Sequence, residues 1–151
     1  MRIRQLPDDS VLYIDAQGAM QSHTFGKGVV LHVRRGIMHA EFAKYVMQDG
    51  ERALASARRF ILMVDAYDAK MHTTEFREVM TDWFFVHPEA FVHMLIRSKL
   101  LEMALNVSNL ALGASRAKVY YDAELWESIG RQEVRMFERR PLVIPGDLEQ
   151  G

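Results

Sequence analysis

The chain contains no cysteine. Disulfides, thiolate nucleophiles and cysteine-ligated metal centres are therefore excluded. There is also no excess of charge. Nineteen Lys and Arg stand against 20 Asp and Glu, a net charge of −1, with both signs interspersed. A duplex-binding protein shows a basic stripe, but here Arg58-Arg59 and Arg139-Arg140 are only pairs, so no nucleic-acid partner is expected. No apolar run approaches the roughly 20 residues that cross a bilayer. No N-terminal apolar segment has the length of a signal peptide. The expectation is a soluble cytoplasmic protein with no membrane partner. Prolines number four, and each sits at a boundary: Pro7 in a polar breaker, Pro88 after a helical pattern, Pro141 and Pro145 in a tail. Repeats, low-complexity tracts and an interdomain linker are all absent. What is present is 151 residues, 49% of them hydrophobic, enough for one domain with a substantial core. We expect that domain over 1–140 and a tail over 141–151.

Two short unbroken apolar runs organise the middle of the chain, 59–65 closed by Asp65 and 91–96 closed by Arg97-Ser98-Lys99. Runs of this kind suit strands covered on both faces, as in a parallel sheet. Earlier segments at 11–14, 19–25 and 29–33, the last two joined by Gly26-Lys27-Gly28, predict antiparallel strands with tight turns. The third is expected to end at Arg34-Arg35-Gly36. Helical spacing predicts a helix over 38–57, where Gly50 lies on the apolar stripe and either weakens the helix by about 1 kcal/mol or marks close packing. A second helix opens at Thr73 or Thr74, with Glu75 and Glu78 suited to its positive end. A third runs over 99–112 from Ser98 to a stop at Gly113. A strand over 117–121 and a helix from Asp122 to 129 or beyond complete the chain, with Gly130 a candidate early stop. The expected fold class is α/β, a mixed central sheet with antiparallel N-terminal strands followed by β-α repeats.

Open α/β sheets place their sites beyond strand C-termini, here residues 65–74 and 97–99. Asp65, Asp68 and His72 form an acidic turn that could hold a phosphoacceptor or metal. A receiver-type site also needs an acid pair after the first strand and a late lysine, and both are missing, so turn chemistry is the expectation. The six histidines make no i, i+4 pair and no His-Glu-x-x-His. Ser98 lacks a nucleophile elbow, and Gly26-Lys27-Gly28 precedes a strand where a phosphate loop must open a helix. No metal, cofactor or catalytic residue is expected. The 99–112 helix is more informative. Lys99, Glu102, Asn106 and Asn109 form one narrow polar stripe, and Leu101, Leu105 and Leu112 flank it. A surface helix needs only about a 100° apolar face. Either other elements cover this helix on two sides, or it meets a partner chain through Leu101, Leu105 and Leu112, a homodimer being the simplest case.

Several pieces together resemble a known family. These are the three-strand start, Val64-Asp65-Ala66, Glu75-Phe76-Arg77, Trp83, Arg97-Ser98-Lys99-Leu100-Leu101-Glu102-Met103-Ala104 and Val107-Ser108-Asn109-Leu110-Ala111-Leu112. Over residues 29–129 the chain resembles the STAS domain (sulphate transporter and anti-sigma-factor antagonist), most closely its SpoIIAA-like bacterial relatives. The resemblance implies a non-catalytic regulatory protein–protein interaction module whose partner surface includes Asp68 and His72. Better-known members carry an Asp-Ser-Ser-Gly-like signature, with a phosphorylated serine, where the helix after the central strand begins. The corresponding segment here is His72-Thr73-Thr74-Glu75, which lacks the serine and the glycine. Thr73 and Thr74 are the candidate phosphoacceptors in their place, and helix capping is the competing role. The alternative function is a small-ligand (lipid or nucleotide) binding α/β domain, with the 99–112 helix lining an apolar cavity.

Overall fold

The computed structural model describes residues 1–112 and 116–149 of the chain, without the side chains of Ser108 and residues 110–112. The expected helix stop at Gly113 lies outside the described residues, as does the side chain of Leu112. Seven strands form one sheet in sequence order: β1 (Arg2–Gln5), β2 (Val11–Ile14), β3 (Gly18–Gly26), β4 (Val29–Met38), β5 (Phe60–His72), β6 (Ala90–Leu95) and β7 (Ala117–Tyr120). The pairs β1–β2, β2–β3 and β3–β4 are antiparallel. The pairs β4–β5, β5–β6 and β6–β7 are parallel. The helices are α1 (Ala40–Ala57), α2 (Thr74–Phe85), α3 (Lys99–Leu112), α4 (Ala123–Glu133) and the short α5 (Gly146–Glu149). The sheet is thus mixed, antiparallel first and then built from β-α units, as the sequence pattern implies.

Strand alternation decides what each face of the sheet carries. Val30, Leu62, Val64, Val92 and Met94 point into a core shared with Phe42 and Val46 of α1, Phe76, Met80 and Trp83 of α2, and Leu101 of α3. Val29, Leu31, Val33, Ile61, Met63 and Leu95 point the other way, against Trp126 of α4 and Phe137. The first halves of β4 and β5 are therefore covered on both faces, which explains the unbroken apolar run over 60–64.

Several boundaries differ from expectation. β1 was read as polar chain. It is an exposed edge strand whose residues alternate charge with Ile3, and such charged edges discourage pairing with another chain. β5 does not stop at Asp65. It continues to His72 alongside the extended half of β4, through register shifts after Val33 and Gly36, with Arg35 opposite Asp68 and Met38 opposite His72. The acidic turn expected at 65–72 is therefore a strand. Gly130 does not end α4. A Cβ on Gly130 would stand 2.1 Å from a ring carbon of Phe137, so the missing side chain lets the tail fold back across the helix. The segment after α4 then docks on the sheet. Val143 N–H donates to Gln21 Oε1 at 2.9 Å, and Leu148 joins Leu6, Leu12 and Ile14 in a small third core.

Gly50 shows which of its two expected roles holds. A Cβ there would sit 2.4 Å and 2.7 Å from Trp83 ring carbons and 3.0 Å from Phe60. The ring has little freedom to withdraw. Its Nε1–H donates to Glu51 at 2.9 Å, and it packs edge-on against Phe60 and stacks on His87. Replacing Gly50 by Ala gains up to about 1 kcal/mol of helix propensity, but overpacking a fixed core costs typically about 1–3 kcal/mol. We expect Gly50→Ala to lower stability by about 1–2 kcal/mol in urea unfolding. A gain in stability would show that the Trp83 ring gives way.

Candidate functional site: a buried cation beside an apolar cavity

The inner face of β4 carries Val30, His32 and Arg34 in alternation, and the last two are as buried as the first. His32 is fully buried and Arg34 is 3% exposed. Facing them are Ser22 on β3, opposite His32 in register, and Asp49 on α1. Ser22 Oγ donates to Asp49 Oδ2 at 2.6 Å, and His32 Nε2–H donates to the same oxygen at 2.7 Å. With Nε2 protonated, His32 Nδ1 is the free lone pair, and it receives a long contact from Arg34 Nη2 at 3.5 Å. Arg34 Nη1 makes an equally long contact, 3.5 Å, with Nε2 of His72. The polar side chains thus run in series, Ser22–Asp49–His32–Arg34–His72, under the helix layer.

The charges in this chain are unequally compensated. Burial pushes the Asp49 carboxyl up, but His32, Ser22 and Arg52 outweigh that, and it ionises below its usual range. His32 is pulled down by burial despite Asp49. His72 is held well below its usual value by burial and then by the neighbouring Arg34 and Arg77. Both imidazoles are therefore neutral near pH 7. Burial alone pulls Arg34 down to about 9, still above neutrality, so the guanidinium is charged. No carboxylate reaches it among the described residues, and its Nε–H has no partner. Its remaining neighbour is the ring of Phe76, 5.4 Å away.

Arg34 lies at the edge of a cavity of about 70 Å³ between the sheet and the α2–α3 layer. The walls are apolar: Leu62, Met80, Phe84 and Met94, with Leu105 of α3 above them. Arg77 of α2 also lines it, and its Nε is likewise buried without a partner. Arg116 closes the β7 side, fixed by bonds to the carbonyls of His87 and Ala90 at 2.6 Å and 3.1 Å.

Most expected site residues lie elsewhere or face inward. His72 lines this cavity and is buried, so it offers nothing to an outside partner. Asp68 is exposed and makes a long ion pair with Arg97 at 3.5 Å. Asp65 is buried, and its Oδ2 accepts from Arg139 of the returning tail at 2.7 Å. Thr73 is the N-cap of α2, its Oγ1 accepting from Phe76 N–H at 3.1 Å. Thr74 is exposed, and its hydroxyl accepts from Arg77 at 3.2 Å. Leu101 is 2% exposed and belongs to the core, Leu105 is half-buried over the cavity, and the apolar residues that α3 turns outward are instead Leu100, Met103 and Val107. The helix is rotated relative to expectation because its inner side meets both α2 and the sheet. Arg34, His32, Asp49 and Arg77 were missed. The available signal was the period of two through Val30-His32-Arg34, which continues the strand past the expected stop at Arg34.

No group of three or more His, Asp or Glu side chains able to hold a metal occurs among the described residues, and no described helix is long and apolar enough to cross a membrane. No family model matches the chain, and no curated protein matches it in sequence. Solved structures do. A protein with a SpoIIAA-like fold from Shewanella loihica superposes with a TM-score of 0.55 at 15% identity, over 78% of this chain and 97% of that one. The fold is SpoIIAA-like. An anti-sigma factor antagonist from Mycobacterium paratuberculosis also superposes, with a TM-score of 0.50 at 12% identity, over 85% of this chain and 99% of that one. Within the SpoIIAA-like frame, the cavity lies under the two helices that follow the central strands.

The neutral buried histidines set a pH dependence. In the unfolded chain His32 and His72 take up protons near their ordinary 6.5. In the folded chain both resist protonation, so the unfolded state binds more protons below that point. Their contribution is complete above pH 6.5 and is lost as pH falls, by up to about 1.4 kcal/mol per pH unit for each histidine that stays neutral. Urea midpoints should therefore fall between pH 6.5 and 5, before the carboxylates titrate, and His72→Gln should flatten the slope. A midpoint constant over that range would contradict this assignment.

Proposed function

We propose that this chain is a non-catalytic regulatory module that takes up a small ligand between its sheet and the α2–α3 layer. The observation that carries this reading is the unpaired guanidinium of Arg34 at the edge of an apolar cavity. An isolated buried charge is costly unless something pairs with it, and concave apolar sites with a few convergent polar groups are the usual form of a ligand pocket. Arg34, Arg77 and the neutral His72 are such groups.

The non-catalytic part rests on the arrangement of the polar chain. Ser22 and His32 both bond Asp49 and do not bond each other, so the serine–imidazole pair that activates a nucleophile is not formed. A regulatory role is supported by the fold shared with an anti-sigma factor antagonist. Thr74, exposed at the first turn of α2 beside Arg77, is the residue on which a phosphate would meet a guanidinium. Native mass spectrometry of the protein purified from its source tests the reading. A small-molecule adduct, released by organic solvent, is expected. A bare mass, together with a fragment screen in which no compound moves the Met80 and Met94 methyl signals, would count against it.

A second reading, self-association, is favoured by the outer face of α3. Leu100, Met103 and Val107, at i, i+3 and i+7, are exposed by 65%, 64% and 60%. Monomeric surfaces seldom leave three large apolar side chains in a row on one helix. A second copy of the chain meeting this stripe is expected to raise the light-scattering mass at high protein concentration. Leu100→Glu with Met103→Glu should return a folded monomer. Leu101→Glu, by contrast, places a carboxylate in the core and should unfold the protein. A monomeric wild type at all concentrations would end this reading.

A further inference from the structure

Arg34 has five N–H donors. Two are engaged in long contacts to neutral imidazoles, and the Nε–H is unpartnered. The Ser22–Asp49–His32 series fixes the side chain from behind without neutralising it, because Asp49 reaches Arg34 only through an uncharged ring. The structure thus keeps a rigid fork-shaped cation facing an apolar space. We propose that the cavity binds a small aliphatic monocarboxylate, its carboxylate on Arg34 and its hydrocarbon tail along Leu62, Met80, Phe84 and Met94. This rests on the small-ligand reading above and names the ligand's chemistry.

Three features select that chemistry. A carboxylate is planar with two oxygens at the spacing of the guanidinium fork, so one ligand group satisfies the free donors together. A single negative charge balances Arg34; Arg77 and Arg116 also line the cavity but donate to protein oxygens, and a phosphate dianion would lose far more hydration in walls that are mostly carbon. The volume of about 70 Å³ is about half the 150 Å³ that accommodates benzene, so it takes a carboxyl group and the first carbons of a chain. Met80 and Met94 are unbranched and adaptable, which gives a longer tail room to run towards Leu105 of α3. A nucleotide does not fit this space.

The protein should be titrated with butyrate, hexanoate, 1-hexanol, hexylamine and hexyl phosphate. Calorimetry and the Met80 and Met94 methyl signals would be followed. Hexanoate is expected to bind saturably and move both methyls, with the alcohol and the amine at least about tenfold weaker because they leave the fork unpaired. Arg34→Met should weaken hexanoate at least about 30-fold, yet raise the melting temperature of the ligand-free protein, because an unpaired buried charge is replaced by an apolar side chain of similar length. A merely structural Arg34 would give the opposite change in melting temperature. If Arg34→Met does not fold, Arg34→Lys keeps the charge and loses the fork, and it should still weaken hexanoate at least about tenfold. Equal binding of hexanol and hexanoate would overturn the carboxylate while leaving the ligand reading standing. Tighter binding of hexyl phosphate would overturn it in favour of a phosphate monoester. No binding by any compound would remove both readings.

Discussion

Taking a guanidinium out of water without a counter-charge constrains everything around it. Arg34 must be surrounded by groups that offer lone pairs or ring faces and that carry no positive charge of their own. His32 and His72 meet that condition only while neutral, and their burial keeps them so. His32 in turn needs an acceptor for its Nε2–H, which Asp49 supplies, and Asp49 needs the hydroxyl of Ser22 to complete its bonding. Residues from β3, β4, β5 and α1 are thus tied to one another through a single charge, and changing any of them alters the others' protonation or bonding.

The fold makes this arrangement possible because β4 is paired on both sides and covered on both faces. Its partners β3 and β5 run in opposite senses. Cross-strand positions therefore bring Ser22 beside His32, while the extended end of β5 delivers His72 to the level of α2. Phe76, in the first turn of that helix, then lays its ring against both His72 and Arg34. Where the sheet would ordinarily be filled by aliphatic side chains, the inward position after His32 on β4 holds a cation. The space in front of it is bounded by flexible methionines.

Much of the architecture was legible because the decisive strands have an unmistakable composition. The runs Phe60-Ile61-Leu62-Met63-Val64 and Phe91-Val92-His93-Met94-Leu95 are apolar at every or nearly every position, as burial on two faces demands. The cap at Thr73 and the helix after Asp122 were equally plain. Other elements were hidden for physical reasons. β1 is exposed at all four positions, so no apolar pattern marks it. The second half of β5 is covered on one side only, with Ala69 and His72 buried and Asp68, Lys70 and Met71 exposed, and that composition imitates a turn. Arg34 was read as the end of a strand because arginine is seldom found inside, and only coordinates reveal that no acid accompanies it. On α3, nearly all positions but one stripe are apolar, so composition alone could not separate the leucines facing the core from those facing water. The pattern around Asp65 predicts turn chemistry, and the residue that occupies its Oδ2, Arg139, lies 74 positions away.

The small third core has a consequence for how the molecule is completed. Leu6, Leu12 and Ile14 from the first hairpin pack against Leu148, and Arg4 grips Asp147 through both carboxylate oxygens at 3.0 Å and 2.7 Å. The outermost strands thus wait for residues as far as 143 positions later in the chain before their outer face is covered. Closing so long a loop yields its reward only at the end of folding. The β1–β2 corner is thus a seam held by contacts between residues far apart in sequence, unlike the centre of the sheet, which neighbouring helices cover.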